Sequence, residues 1–403
     1  MAANFHKTHG AFADIHFKFY VNMNHFQKIG SMDSAAIEWL RFPLVVCVVI
    51  IHSFGPPVDF THIDWSALSC NDAYNVVRVF FSRVITHSAV PCFYMISGYL
   101  FFFNVNHFDC VVWKNKIKSR VRTLLVPYLL WNLIFIVVII GKDLLRCAMG
   151  IESVSTISAW YHENGGILRM FWNCNVWGEN VVGWLGNQQR DSAPIDLPLW
   201  FLRDLMVATF FTPIIHWLIK HFGVWYLTFL GLAFVSKAWP AIDGFSIAAV
   251  FFFSLGAYMG VRKLSFTQFT KFDTVIYLVT LALAIVDVFF GGPDTFYGNI
   301  VHPFFRISGA LAIFCIGLKF CKRAWNPTLV RSVFFIYAFH GLYIIGYYLG
   351  VVPQQLTAES NVFIKLLVYF LIPILKLLAC LGVFVLMERF TPRLLAILTG
   401  NRN

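Results

Sequence analysis

Charge is what this 403-residue chain has least of: Asp, Glu, Lys and Arg make up 13% of it, about half of the roughly 25% usual in soluble domains. With 59% hydrophobic residues and a mean hydropathy of +0.69, too little polar side chain remains to wet the surface of a soluble fold this long. The chain also lacks a GxSxG elbow, a P-loop and an HExxH pair, so serine-hydrolase, NTPase and zinc-protease chemistry have no support, and nothing indicates a bound metal. CxxC spacing is absent too. The cysteines number nine, an odd count, and most of them, such as Cys47, Cys92, Cys315 and Cys380, fall inside apolar runs and read as small membrane hydrophobes. Cys70, Cys147 and Cys174 fall in expected outer loops, where one disulfide is open but no pairing is favoured. No internal repeat, low-complexity tract or appended soluble domain is expected.

Base exceeds acid, with a formal charge of +11. The lysines and arginines stand singly along the rims of apolar runs, however, which is a membrane topology signal and not a nucleic-acid stripe. Runs long enough to cross a hydrocarbon core of about 30 Å lie near residues 37–55, 84–103, 124–141, 197–219, 223–240, 245–261, 274–291, 303–320, 332–350 and 362–387. The expected fold class is therefore all-α: a polytopic integral membrane protein of about ten transmembrane helices. Placing the amino terminus in the cytoplasm puts most of the basic residues inside, so an N-in, C-in orientation in the inner (cytoplasmic) membrane is expected.

The first 31 residues are rich in His and Phe, have no run long enough to span and no signal-peptide layout. They read as an N-terminal extension or a mis-assigned start ahead of Met32. A single transmembrane domain is expected over 32–393, with an extracytoplasmic segment at about 142–196 and a short tail at 394–403. The extracytoplasmic segment carries Trp160, Trp172, Trp177 and Trp184. Anchoring at the membrane surface is the favoured reading for them, ahead of stacking on sugar rings.

Within Ile37 to Phe54 the polar residues are few, and Arg41 and His52 stand with ten residues between them. Eleven helical steps turn through about 20° net and rise about 16 Å, so the two share one face at different depths. Ionisable groups on one stripe of a membrane helix are costly and default to function.

That pattern resembles the first-helix signature of the membrane acyltransferase-3 family, an Arg or Lys followed by His, here within Ile37-Glu38-Trp39-Leu40-Arg41 and His52-Ser53. Four further stretches agree with it in order. Phe93 to Leu100, with Ser97-Gly98-Tyr99, is similar to the second-helix element, and Arg120-Val121-Arg122 to Tyr128 is similar to the basic entry of the third helix. Leu199-Trp200-Phe201-Leu202-Arg203-Asp204 resembles the WFL segment, and Tyr337-Ala338-Phe339-His340 the late YxxH element. Glu38 stands where the family often has Asp, which is a mild departure.

The resemblance implies transfer of an acyl group, commonly acetyl, from cytoplasmic acyl-CoA to a hydroxyl of an extracytoplasmic glycan or lipid-linked sugar. Acyl-CoA is then a co-substrate, the saccharide and membrane lipids are partners, and no cofactor is resident. An alcohol is a poor nucleophile until its proton is accepted, a task that suits imidazole. His52 is accordingly the expected base, Arg41 its electrostatic partner, and Lys118, Arg120 and Arg122 the holders of the CoA phosphates. Arg203, Asp204, Ser97, Arg306 and His340 are the substrate-binding candidates.

Each has a bland rival: snorkelling for Arg41, interior hydrogen bonding for His52 and His340, and topology alone for Arg120 and Arg122. For Arg203 and Asp204 the rival is glue between helices, for Arg306 rim anchoring, and for Ser97 close helix approach. The alternative function is a secondary transporter or flippase using the same polar groups. Against it, the sequence shows no paired broken helices or inverted repeat.

Overall fold

The computed structural model describes residues 32–53, 67, 69–163, 166–174, 180–182, 188–190, 193–240, 242–290 and 296–401. The expected extension at 1–31 lies outside the described residues. The elements are α1 (Met32–Ile51), α2 (Cys70–Phe102), α3 (Cys110–Ala148), α4 (Val154–Glu163), α5 (Gly166–Met170) and a hairpin of β1 (Asn180–Val182) against β2 (Gln188–Arg190). They continue through α6 (Leu197–Phe210), α7 (Thr212–Phe222), α8 (Val224–Ser236), α9 (Ile247–Val261), α10 (Phe266–Phe289) and α11 (Ile300–Phe320). The last four are α12 (Pro327–Phe339), α13 (Ile344–Leu356), α14 (Val362–Phe390) and α15 (Pro392–Leu398).

Helix starts follow local side-chain chemistry. Asn326 and Asn361 accept the backbone N–H groups of Thr328 and Ile364 at 2.9 and 3.0 Å, and Asp109 accepts that of Val112 at 2.8 Å. Each satisfies a donor that the first turn leaves orphaned. Two π-helical stretches, Val121–Leu125 and Ile344–Val351, end just before Pro127 and Pro353. A proline ring crowds the carbonyl four residues upstream and offers no N–H, so widening the preceding turn relieves both problems.

Among the described residues, six helices are long and apolar enough to cross a membrane, and eight if α6–α7 and α12–α13 each count as one bent span. The expected count of about ten is not confirmed. Each of the ten apolar runs contains helix among the described residues, but α8 and α9 have 13 and 15 residues, about 20 Å of rise, short of the hydrocarbon thickness. Long helices such as α10 and α14 keep only 17% and 22% of their apolar windows buried inside the protein, so they present broad greasy faces that lipid would cover. With the six to eight spans, those faces make this a multi-pass membrane protein.

The core forms where α2 and α9 come closest. A Cβ on Gly98 would overlap the Phe253 carbonyl, and one on Gly256 the Met95 carbonyl. Glycines on both sides let the two backbones touch, the small-residue device of membrane packing. The start of α1 is pinned by Asp33, which accepts from the hydroxyls of Tyr99 at 2.7 Å and Ser265 at 2.9 Å. Further along α1, the Trp39 carbonyl accepts from Trp325 Nε1 at 3.0 Å. No disulfide joins any of the nine cysteines, so the option left open for Cys70, Cys147 and Cys174 is not taken.

Candidate active site

The site grows from the carboxyl end of α1. The helix tightens as it stops: His52 N–H reaches Val48 O at 3.2 Å, whereas Ser53 N–H reaches only Ile50 O, at 3.0 Å. The carbonyls left over at such an end need outside donors. Two side chains from late in the sequence supply them. Lys376 Nζ donates to His52 O at 3.0 Å, and Gln354 Nε2 donates to Ser53 O at 3.0 Å. A cation at a helix carboxyl terminus also meets the negative end of the helix dipole.

Lys376 is only 1% exposed, on α14, and no carboxylate among the described residues is within ion-pair distance of it. Across from Lys376 runs α13, where a Cβ on Gly350 would stand 2.9 Å from the ammonium. A larger residue at 350 would push the lysine aside.

His340 caps α12 at the break where the chain turns by 88° into α13. Its ring lies 5.3 Å from that of His52, tilted by 48°. His340 Nδ1 is 2.9 Å from Ile336 O, and since a carbonyl only accepts, Nδ1 carries the proton. Nε2 is therefore a bare lone pair, buried and without a partner. The turn itself depends on Gly341, where a Cβ would stand 2.6 Å from both Asp196 Oδ1 and Pro198 Cδ.

His52, His340 and Lys376 share the wall of one cavity of about 460 Å³. Much of the remaining wall is apolar, with Phe135, Ile139, Ile157, Leu197 and Pro198, and a second polar group comprises Lys142, Asp143, Glu152, Tyr343 and Tyr347. A mostly apolar hollow holding a few convergent polar groups is the usual form of a small-molecule site.

The structure brings His52 and His340 together and leaves the other candidates off this wall. Arg41 is exposed midway along α1 and is not among the lining residues, so the cation beside His52 is Lys376 and not Arg41. Ile37, Val45 and Val48 lie within about 40° of Arg41 on the helix and are buried. Ser34, Glu38 and Arg41 thus form an exposed polar strip in line with the buried half of α1 that ends at His52. Lys118 and Arg122 are exposed and Arg120 is half-buried.

Arg203 and Asp204 are 3% and 2% exposed and pair with each other, Nε and Nη2 reaching Oδ1 at 3.0 and 2.9 Å. Arg203 also donates to Trp172 O at 2.6 Å and lies over the Trp172 ring, so the pair ties α6 to the segment after α5. Ser97 donates to Phe93 O within its own helix at 2.8 Å. Arg306 lies 5.2 Å over the ring of Phe234.

Sequence reasoning passed over Lys376, although a lysine inside a 29-residue helix whose most apolar stretch has a mean hydropathy of 2.6 was the available signal. It also missed that His302, near the outer rim of an expected span, belongs to a chain of three groups away from the cavity. Asp287 Oδ2 lies 2.6 Å from His302 Nδ1, and His302 Nε2 lies 3.2 Å from His87 Nδ1. Their sequence separation hides them; only the packing of α2 on α10 and α11 brings them together.

With this geometry in view, the comparisons with known proteins are direct. A family model described as an acyltransferase domain matches residues 34–387. The chain belongs to the acyltransferase-3 family and is a membrane acyltransferase. It is 26% identical over 383 residues, 92% of each chain, to the succinoglycan biosynthesis protein ExoH of Rhizobium meliloti (strain 1021). No solved structure matches it significantly.

Proposed function

We propose that the protein O-acylates an envelope saccharide. An acyl group, acetyl being the simplest, passes from acyl-CoA to a hydroxyl of an extracytoplasmic or lipid-linked sugar, in the inner membrane with both termini cytoplasmic. The observation that carries this reading is the meeting of His52, His340 and Lys376 on one cavity wall. Membership of the family supports acyl transfer, and the name of the succinoglycan relative supports a polysaccharide acceptor.

In this reading His52 accepts the proton of the acceptor hydroxyl as its oxygen bonds to the thioester carbon. Negative charge then grows on the carbonyl oxygen, and the Lys376 ammonium is the fixed cation beside it, in a dry site where such a charge counts most. The C–S bond breaks, and the proton passes from His52 to the CoA sulfur, so atoms and charge balance. His340 stands beside His52 on the same wall, with the two rings 5.3 Å apart. Lys118, Arg120 and Arg122 hold the CoA phosphates, and Arg41 lies on the polar strip that leads toward His52.

One observation favours the transporter reading: α6–α7 and α12–α13 are bent by 63° and 88°, and broken helices mark many transporters. Labelled acetyl-CoA and membrane glycan, given to the purified protein and to His52→Ala, separate the two. Label on the glycan that disappears in the variant supports acyl transfer, whereas sugar crossing the membrane unlabelled supports transport.

A further inference from the structure

The remaining polar lining of the cavity has a use that the transfer chemistry leaves unassigned. Tyr343 and Tyr347 line the cavity with their rings 5.3 Å apart and within 7° of parallel. Lys142 Nζ lies 5.1 Å from the Tyr343 ring centre and 2.9 Å from Asp143 Oδ1. Asp143 Oδ2 accepts from the Tyr161 hydroxyl at 3.2 Å. Glu152 Oε1 takes Arg146 Nη2 at 2.7 Å. Both carboxylates are thus held in place by neighbours while lining a hollow.

We propose that Asp143, Glu152, Tyr343 and Tyr347 form the acceptor subsite, and that it takes an uncharged pyranose ring. This rests on the acyl-transfer reading of the same cavity. A pyranose has a flat C–H face and a rim of hydroxyls, so it needs an aromatic plane on one side and fixed acceptors around the edge. The stacked tyrosines supply the plane, and the two carboxylates supply acceptors whose remaining lone pairs are open to the hollow. Each carboxylate is already neutralised by a cation, Lys142 or Arg146. These two carboxylates and their cations therefore carry no surplus charge, the Lys376 ammonium being held for the transferring carbonyl, and an extra carboxylate beside Asp143 and Glu152 would be repelled. His340 lines the same cavity beside His52, the acceptor for the hydroxyl that reacts, with the two rings 5.3 Å apart.

The full chain in nanodiscs tests this by saturation-transfer NMR with three probes: methyl β-D-glucopyranoside, methyl β-D-galactopyranoside and methyl β-D-glucuronoside. At least one neutral glycoside is expected to bind, the uronoside to bind at least about tenfold more weakly, and Tyr347→Ala and Glu152→Gln each to weaken the neutral probe by about tenfold. In the label-transfer assay the same variants raise KM for the glycan by a similar factor and leave KM for acyl-CoA in place. Absence of neutral-sugar binding, equal uronoside binding, or variants that leave glycan KM unmoved would overturn the subsite. Sugar binding that depends on Tyr347 in a protein with no acyl transfer would instead retain the subsite and remove the acyl-transfer reading.

Discussion

The Lys376 ammonium lies 3.0 Å from the backbone carbonyl of His52, so the last long helix closes the end of the first. That contact does two things at once: it caps α1, fixing the backbone that carries the imidazole, and it places a buried positive charge beside the residue proposed as base.

The two roles separate with Lys376→Gln, which keeps an N–H donor for the carbonyl and removes the charge. The acyl-transfer rate is expected to fall by about 10²-fold, the usual scale for losing one stabiliser of a developing oxyanion, with the melting temperature in detergent little changed. A rate close to wild type in the glutamine variant would reduce Lys376 to a cap.

Gly341→Ala is expected to destabilise by about 1–3 kcal/mol, because its Cβ would stand 2.6 Å from Asp196 Oδ1 and Pro198 Cδ at the bend that presents His340. Thermal unfolding in micelles measures it. Gly141→Ala is the control, since a Cβ there meets nothing within 4 Å.

Much of this arrangement was legible in the sequence, and the rest was hidden for identifiable reasons. His52 and His340 stand out because an imidazole within an apolar run has few other reasons to be there. Arg41 shares the His52 stripe, but helical periodicity fixes azimuth and not depth of packing, and the neighbouring helices leave it exposed. Lys376 carries the same signal as His52, yet a lone lysine near apolar residues also fits snorkelling. Hydropathy marks α8 and α9 as spans because an apolar run does not show where the helix inside it starts and stops. The same windows ran straight through Gly341, where one glycine without a nearby proline gives no sign of an 88° turn. Arg203 and Asp204 project about 100° apart from the helix, and only the reach of the arginine side chain lets it fold back onto its neighbour.

That buried pair yields its own test. Arg203→Met leaves Asp204 buried without its cation and is expected to cost about 3–5 kcal/mol, lowering the yield of folded protein. The double change Arg203→Met with Asp204→Leu is expected to recover much of that loss. Thermal melts of the three proteins check it, and a double variant no better than the single one would contradict a simple ion-pair role.

Asp196 has both carboxyl oxygens buried without partners, and burial pushes its pKa well above the usual carboxylate range. A folded-state pKa above the unfolded one means that folding takes up a proton. This contribution is therefore intact below about pH 4, where the unfolded carboxyl is also protonated, and is lost as pH rises toward the folded-state pKa. Asp196→Asn removes the dependence, so its melting temperature is expected to match or exceed wild type at pH 8 and to lose that advantage toward pH 4. A variant less stable at pH 8 than at pH 4, relative to wild type, would show that Asp196 is held as a charged group.

The most direct measurement is transfer of radiolabel from acetyl-CoA to membrane glycan by the purified protein, run beside His52→Ala and Lys376→Gln. Label should appear on the glycan with wild type, vanish with His52→Ala and fall by about 10²-fold with Lys376→Gln. Undiminished labelling by the His52→Ala protein would contradict a base at the end of the first helix.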